Sequence, residues 1–187
     1  MEITLRRANS VQNQINEVLK SLNFDYLISV NEFENAEQAI ESAAINFSEN
    51  IKRRERLLEA LYAIRKNVGS ANISEGIDIR MADAAHLEKQ IKFYTDLMDA
   101  KIRLSKEVIE GKINRIRTTE NVSHMYREEG IQTTIFVQQD LVNFKNIVNF
   151  ARKKRQRIQD EILELNTRVT IAISNEVEKT LKDEGII

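Results

Sequence analysis

The stretch DLVNFKNIVNFARKKRQRIQDEILELN, residues 140–166, decides the fold. Its apolar positions are Leu141, Phe144, Val148, Ala151, Ile158, Ile162 and Leu165, with Arg155 in the one remaining slot. The spacing alternates three and four residues, a heptad ladder that places every member on one helix face. A ladder this regular predicts a helix over about 140–166 whose seam is buried against other helices. Leu141, Val148, Ile158 and Ile162 are therefore expected to be deeply buried. Arg155 either snorkels outward or fixes register at some cost in stability.

The same signature recurs upstream. Ala8, Val11, Ile15, Val18 and Leu22 predict a first helix. Ala36, Ile40, Ala43, Phe47 and Ile51, then Leu57, Leu61, Ile64 and Val68 after a stutter-like phase shift, predict a second over about 35–68. Gly69 is the expected stop, and Ser70 to Gly76 the expected turn. With Asp78 as its cap, a third helix follows, carrying Ile91, Tyr94, Met98, Ile102, Ile109, Ile113 and Ile116 on one face. Together these form a hairpin over about 35–118 whose arms would each reach roughly 50 Å at the helical rise.

Three short segments carry the two-residue period of strands instead: Phe24, Tyr26, Ile28 and Val30; Thr133, Ile135 and Val137; and Val169, Ile171 and Ile173. Each is also short enough to be the end of a helix. The hairpin returns the chain to its starting end, so a two-stranded β cap of segments 24–30 and 131–137 is the expected pairing. Segment 169–173 would then need another partner, with a second subunit as the obvious source. In the tail, 168–187, a short last helix is expected, capped by Asn175 with Glu178 three residues on and closed by Gly185. The predicted fold class is mainly α: one elongated antiparallel helical bundle or coiled coil over 1–187, with a small β cap.

Composition points the same way. The chain of 187 residues has no proline, no cysteine, no tryptophan and five glycines. Proline breaks helices and fixes turns. Without it, few long helices joined by few turns are the natural product. Apolar residues make up 42% and charged residues 30%, a balance suited to amphipathic helices with solvated outer faces. The net charge of −1 offers no global field to draw in nucleic acid or acidic lipid. Disulfides, thiolate nucleophiles and thiolate metal sites are excluded. Neither an N-terminal signal peptide nor a bilayer-spanning run is read, so a cytoplasmic protein is expected, or one in the host cytoplasm or virion if viral.

Little in the sequence suggests a reaction. Di-metal bundles use paired Glu-x-x-His motifs. The nearest approach here is Asp83-x-x-His86, and the only other histidine, His124, follows Glu120 by four residues. Surface side chains explain both histidines more simply. There is no Gly-x-Ser-x-Gly elbow, and all five glycines are isolated, so no phosphate loop is present. No cofactor, metal or catalytic residue is assigned.

Basic clusters are the better signal. Lys52, Arg53, Arg54 and Arg56 form one, and Arg152, Lys153, Lys154, Arg155 and Arg157 another, with Lys112, Arg115 and Arg117 as a smaller third. Arg53, Arg54, Lys153, Lys154 and Arg157 are the candidate contacts to a phosphate backbone. Against that, Glu49, Glu55, Glu59, Asp160 and Glu161 lie close enough to neutralise these runs, which is the pattern of a solvated coiled-coil exterior. Alanines 36, 39, 43 and 44, and 82, 84 and 85, permit close helix approach within the chain or between copies. The terminal Ile186 and Ile187 either tuck into the body or offer a contact to a neighbour.

In size and helical texture the chain resembles the small helical accessory or virion proteins of tailed bacteriophages, a resemblance that rests on no motif. It implies a virion or assembly part, or a factor that binds a host protein during infection. The leading expectation is a non-enzymatic structural or interaction protein acting through helix faces, with itself or another protein as partner and no membrane. A nucleic-acid-binding helical protein is the alternative, and a metal-dependent bundle enzyme the remote one.

Overall fold

A computed structural model describes residues 1–33, 35–119 and 130–187. Among them the chain forms, in order, β1 (Glu2–Thr4), α1 (Leu5–Ser21), α2 (Ala36–Ser74), α3 (Ile77–Met98), α4 (Lys106–Thr119), α5 (Gln138–Arg168), β2 (Thr170–Ala172) and α6 (Asn175–Asp183). The fold is mainly α with one small antiparallel sheet, as the ladders predicted. Along α5 every ladder position is buried or half-buried. Val148, Ala151 and Leu165 are buried, and Leu141, Phe144, Arg155, Ile158 and Ile162 are half-buried. Of the four residues expected to be deep, only Val148 is.

Packing divides the chain into two units, Met1–Arg80 with Asp160–Ile187, and Met81–Gln159. In the first, α1 packs on α2, and α6 and β2 pack on the same helix. Leu5, Ala8, Val11 and Ile15 of α1 and Leu57, Ala60, Leu61 and Ile64 of α2 form one buried cluster with Ile171, Ile173, Val177, Leu181 and Ile186. The sheet pairs β1 with β2, placing Ile3 opposite Ile171 with both buried. Segment 169–173 therefore finds its strand partner at the chain's own N-terminus, not in a second subunit. The expected pairing of 24–30 with 131–137 is not formed, and neither segment is a strand.

Local chemistry explains the boundaries of this unit. Thr4 caps α1, its Oγ1 accepting from the Arg7 amide at 3.2 Å. α6 starts one residue earlier than expected: Ser174, not Asn175, is its cap, accepting from the Val177 amide, and Asn175 is its first helical residue. Glu178 instead accepts from the N-terminal ammonium at 3.0 Å and from Lys182 at 2.7 Å. Gly185, at φ +67°, turns the chain so that Ile186 tucks into the core. The expected stop at Gly69 does not occur, because α2 runs on through Ser70–Ser74. Gly76 makes the turn, with φ +65°. Asp78 lies inside the first turn of α3 rather than capping it.

In the unit of Met81–Gln159 the expected third helix is interrupted. α3 ends at Met98, and α4 begins only after Ser105, whose Oγ accepts from the Val108 amide at 3.4 Å. Ile102 falls in the gap and is exposed, whereas Ile91, Tyr94 and Met98, and then Ile109, Ile113 and Ile116, keep their half-buried faces. Across the gap, the Arg103 amide donates to Phe136 O at 2.8 Å and the Leu104 amide to Thr133 Oγ1 at 2.8 Å. Segment 131–137 thus has an irregular partner in 101–104. Tyr94 and Phe136 pack on Phe144 with ring centroids at 5.6 and 5.4 Å.

Candidate interaction surface

The five basic residues singled out in the sequence fall into two groups with different duties. Arg53 is committed to the protein's own tail. Its Nε donates to both Glu184 carboxylate oxygens, at 2.8 and 2.9 Å, and its Nη2 to one of them. Glu184 is only 8% exposed in this pair, and it raises the Arg53 guanidinium above its ordinary pKa through those hydrogen bonds. Arg54 stands 5.5 Å over the Phe24 ring, which itself meets Phe47 edge-on at 6.3 Å. That stack, with the Asn50 amide donating to Asn23 O at 2.9 Å, ties the start of segment 23–33 to α2.

Lys153, Lys154 and Arg157 are exposed on α5. With Phe150 they fall at i, i+3, i+4 and i+7, one stripe of the helix. Arg152 is exposed off that stripe, and Arg155 is turned into the seam, where its Nη2 stands 3.4 Å from Glu88 of α3 while its Nε is buried with no hydrogen-bond partner among the described residues. Phe150 is 71% exposed. With Lys154 it borders a groove of about 540 Å³ whose opposite wall is Asp83, His86, Leu87, Gln90 and Tyr94 of α3.

Asp83 and His86 are exposed on that wall. Glu120 and His124 lie outside the described residues, and among the described residues no group of three or more histidine, aspartate or glutamate side chains converges. No helix among them is long and apolar enough to cross a membrane.

The feature that sequence reasoning missed is apolar. Segment 23–33 is neither helix nor strand, and after Phe24 it presents its side chains to solvent, with Tyr26 at 80%, Leu27 at 79% and Phe33 at 91% exposure. Beside it in sequence, α2 opens with Ile40 and Ile45 exposed. The seam of this half of α2 is rotated from the expected one: Ala39, Ala43, Phe47 and Asn50 are half-buried, not Ala36 and Ile40. The signal was present in the alternation of FDYLISV (24–30), which marks a segment needing a partner surface on one side. No protein-family model, curated protein or solved structure matches this chain.

Proposed function

We propose that this chain is a non-enzymatic structural or protein-interaction protein that acts through its helix faces, as a homo-oligomeric scaffold or assembly component. The observation that carries this reading is the exposed apolar set Tyr26, Leu27, Phe33 and Ile40, in a unit that buries sixteen other apolar residues in one cluster. Singly exposed apolar residues are ordinary, whereas a contiguous run is the mark of an interaction surface. The resemblance to small phage proteins supplies the setting: a virion or assembly part, or a host-interaction factor. Light scattering behind size exclusion tests the reading. A multimer of the 21.7 kDa chain is expected, and replacing Tyr26, Leu27 and Phe33 with serine should reduce its mass while leaving the circular dichroism unchanged.

A second reading, nucleic-acid binding, is favoured by one observation, the exposed Phe150 within the stripe of Lys153, Lys154 and Arg157. An aromatic among cations suits stacking and phosphate contact together. Arg53 and Arg54, engaged with Glu184 and Phe24, add less to it. Retention on single-stranded nucleic acid should fall steeply with salt if this reading holds. It fails if glutamine at Lys153, Lys154 and Arg157 leaves retention unchanged.

A further inference from the structure

Charge is sharply segregated along this near-neutral chain. From Ser21 to Ile51 there are six carboxylates (Asp25, Glu32, Glu34, Glu37, Glu41 and Glu49) and no lysine, arginine or histidine. From Leu141 to Gln159 there are six cations (Lys145, Arg152, Lys153, Lys154, Arg155 and Arg157) and no carboxylate. The two stretches are equal and opposite, at −6 and +6, and each carries uncovered apolar side chains.

On α2, Glu37, Ile40 and Glu41 share one helix face, all three exposed, so an isoleucine is flanked by carboxylates. On α5, Phe150 is bordered by Lys153, Lys154 and Arg157 on one exposed stripe. Among the described residues, none of Glu37, Glu41, Lys153, Lys154 or Arg157 has an ion-pair partner. Each face is exposed within its own unit among the described residues, and each offers what the other lacks.

Resting on the assembly reading above, we infer that the acidic-apolar face around Ile40, with Phe33, docks on the basic-aromatic stripe around Phe150 of a second copy of this chain. Electrostatic complementarity of this kind sets orientation and register more than raw affinity. It also disfavours the like-with-like arrangement, since acidic face on acidic face would set Glu37 and Glu41 of one copy against the same pair of the other. Two different faces meet, so the contact is heterologous and propagates head to tail into rings or open chains.

Two variants test this, each neutralising one face: Glu37→Gln with Ile40→Ser and Glu41→Gln, and Phe150→Ser with Lys153→Gln, Lys154→Gln and Arg157→Gln. All seven positions are exposed, and circular dichroism checks that both variants fold. The wild type should grow beyond a dimer at low salt and shrink as salt rises. Each variant alone should stay at 21.7 kDa, and a mixture should give a one-to-one dimer through the two intact faces. A mixture that remains monomeric, or a variant that still assembles like the wild type, overturns the inference while leaving the assembly reading in place. A wild type that is monomeric at every concentration removes both. If the wild type carries nucleic acid and the α5 variant does not, the stripe belongs to that partner and the inference is overturned.

Discussion

The unit formed by Met1–Arg80 and Asp160–Ile187 buries sixteen apolar residues in one cluster, while among the described residues the unit of Met81–Gln159 buries only Leu87, Val148 and Ala151. Both are built from amphipathic helices of similar pattern, so periodicity does not account for the contrast. What differs is closure. In the first, the β1–β2 pair and α6 cover the α1–α2 seam, and the chain's two ends are fastened by the Met1–Glu178 and Arg53–Glu184 contacts. Among its described residues the second has no such cover. Its helices meet along half-buried seams and a small aromatic group around Phe144. Half-buried seams leave flanks exposed, and on such a flank α5 presents Phe150 and its cations.

The sharpest way to break this comparison is to cut the two cores. Leu57→Ala, at a fully buried site in the first unit, should cost about 2–5 kcal/mol. Val148→Ala should cost only about 1–2 kcal/mol from the apolar groups removed. Urea titration of both variants decides, and equal losses would erase the distinction between the units. Next in size is the fastening of the tail. Arg53→Ala leaves the nearly buried Glu184 carboxylate without its partner, a loss of about 2 kcal/mol after discounting for the half-exposed arginine. A thermal melt indistinguishable from wild type would show that the pair does not hold the tail.

Glycine offers a pair of opposite sign. Gly69 is helical with nothing near the place a Cβ would take, so Gly69→Ala should stabilise by about 0.5–1 kcal/mol. Gly76 sits at φ +65° with Arg80 Nη1 3.1 Å from that place, so Gly76→Ala should destabilise by about 1 kcal/mol or more. Chemical denaturation of the two variants separates them, and the same sign for both would contradict the assigned turn. The smallest effect is at Glu178, whose pKa is held below the ordinary carboxylate value by Lys182 and then by the N-terminal ammonium. A depressed carboxylate contributes stability that is complete above the unfolded value and lost as pH falls through the folded one. The melting difference between wild type and Glu178→Gln should therefore be present at pH 7 and vanish toward pH 3. A difference that persists at pH 3 would rule out the ionised contact.

Much of the fold was legible because the heptad ladder of 140–166 admits one reading, and burial along α5 follows it position by position. The misreadings have physical causes. Gly69 carries a helix penalty near 1 kcal/mol, which a 39-residue helix packed on α1 and α6 absorbs. β1 is three residues long, too short for alternation to announce it, so the partner of β2 was sought in the wrong place. The break after Met98 has no proline or glycine to mark it, and its hydrogen bonds come from Thr133 and Phe136, distant in sequence. Of the candidate surface, the basic residues were legible from composition. Which of them are free was not, because Arg53 and Arg155 are claimed by Glu184 and Glu88 from other elements.

Sedimentation velocity over a concentration series, at low and high salt and read at 260 and 280 nm, tests the proposed assembly role most directly. The account predicts a species larger than 21.7 kDa that grows with concentration, dissociates with salt and carries no nucleic-acid absorbance. A 21.7 kDa monomer at every concentration and salt would contradict it.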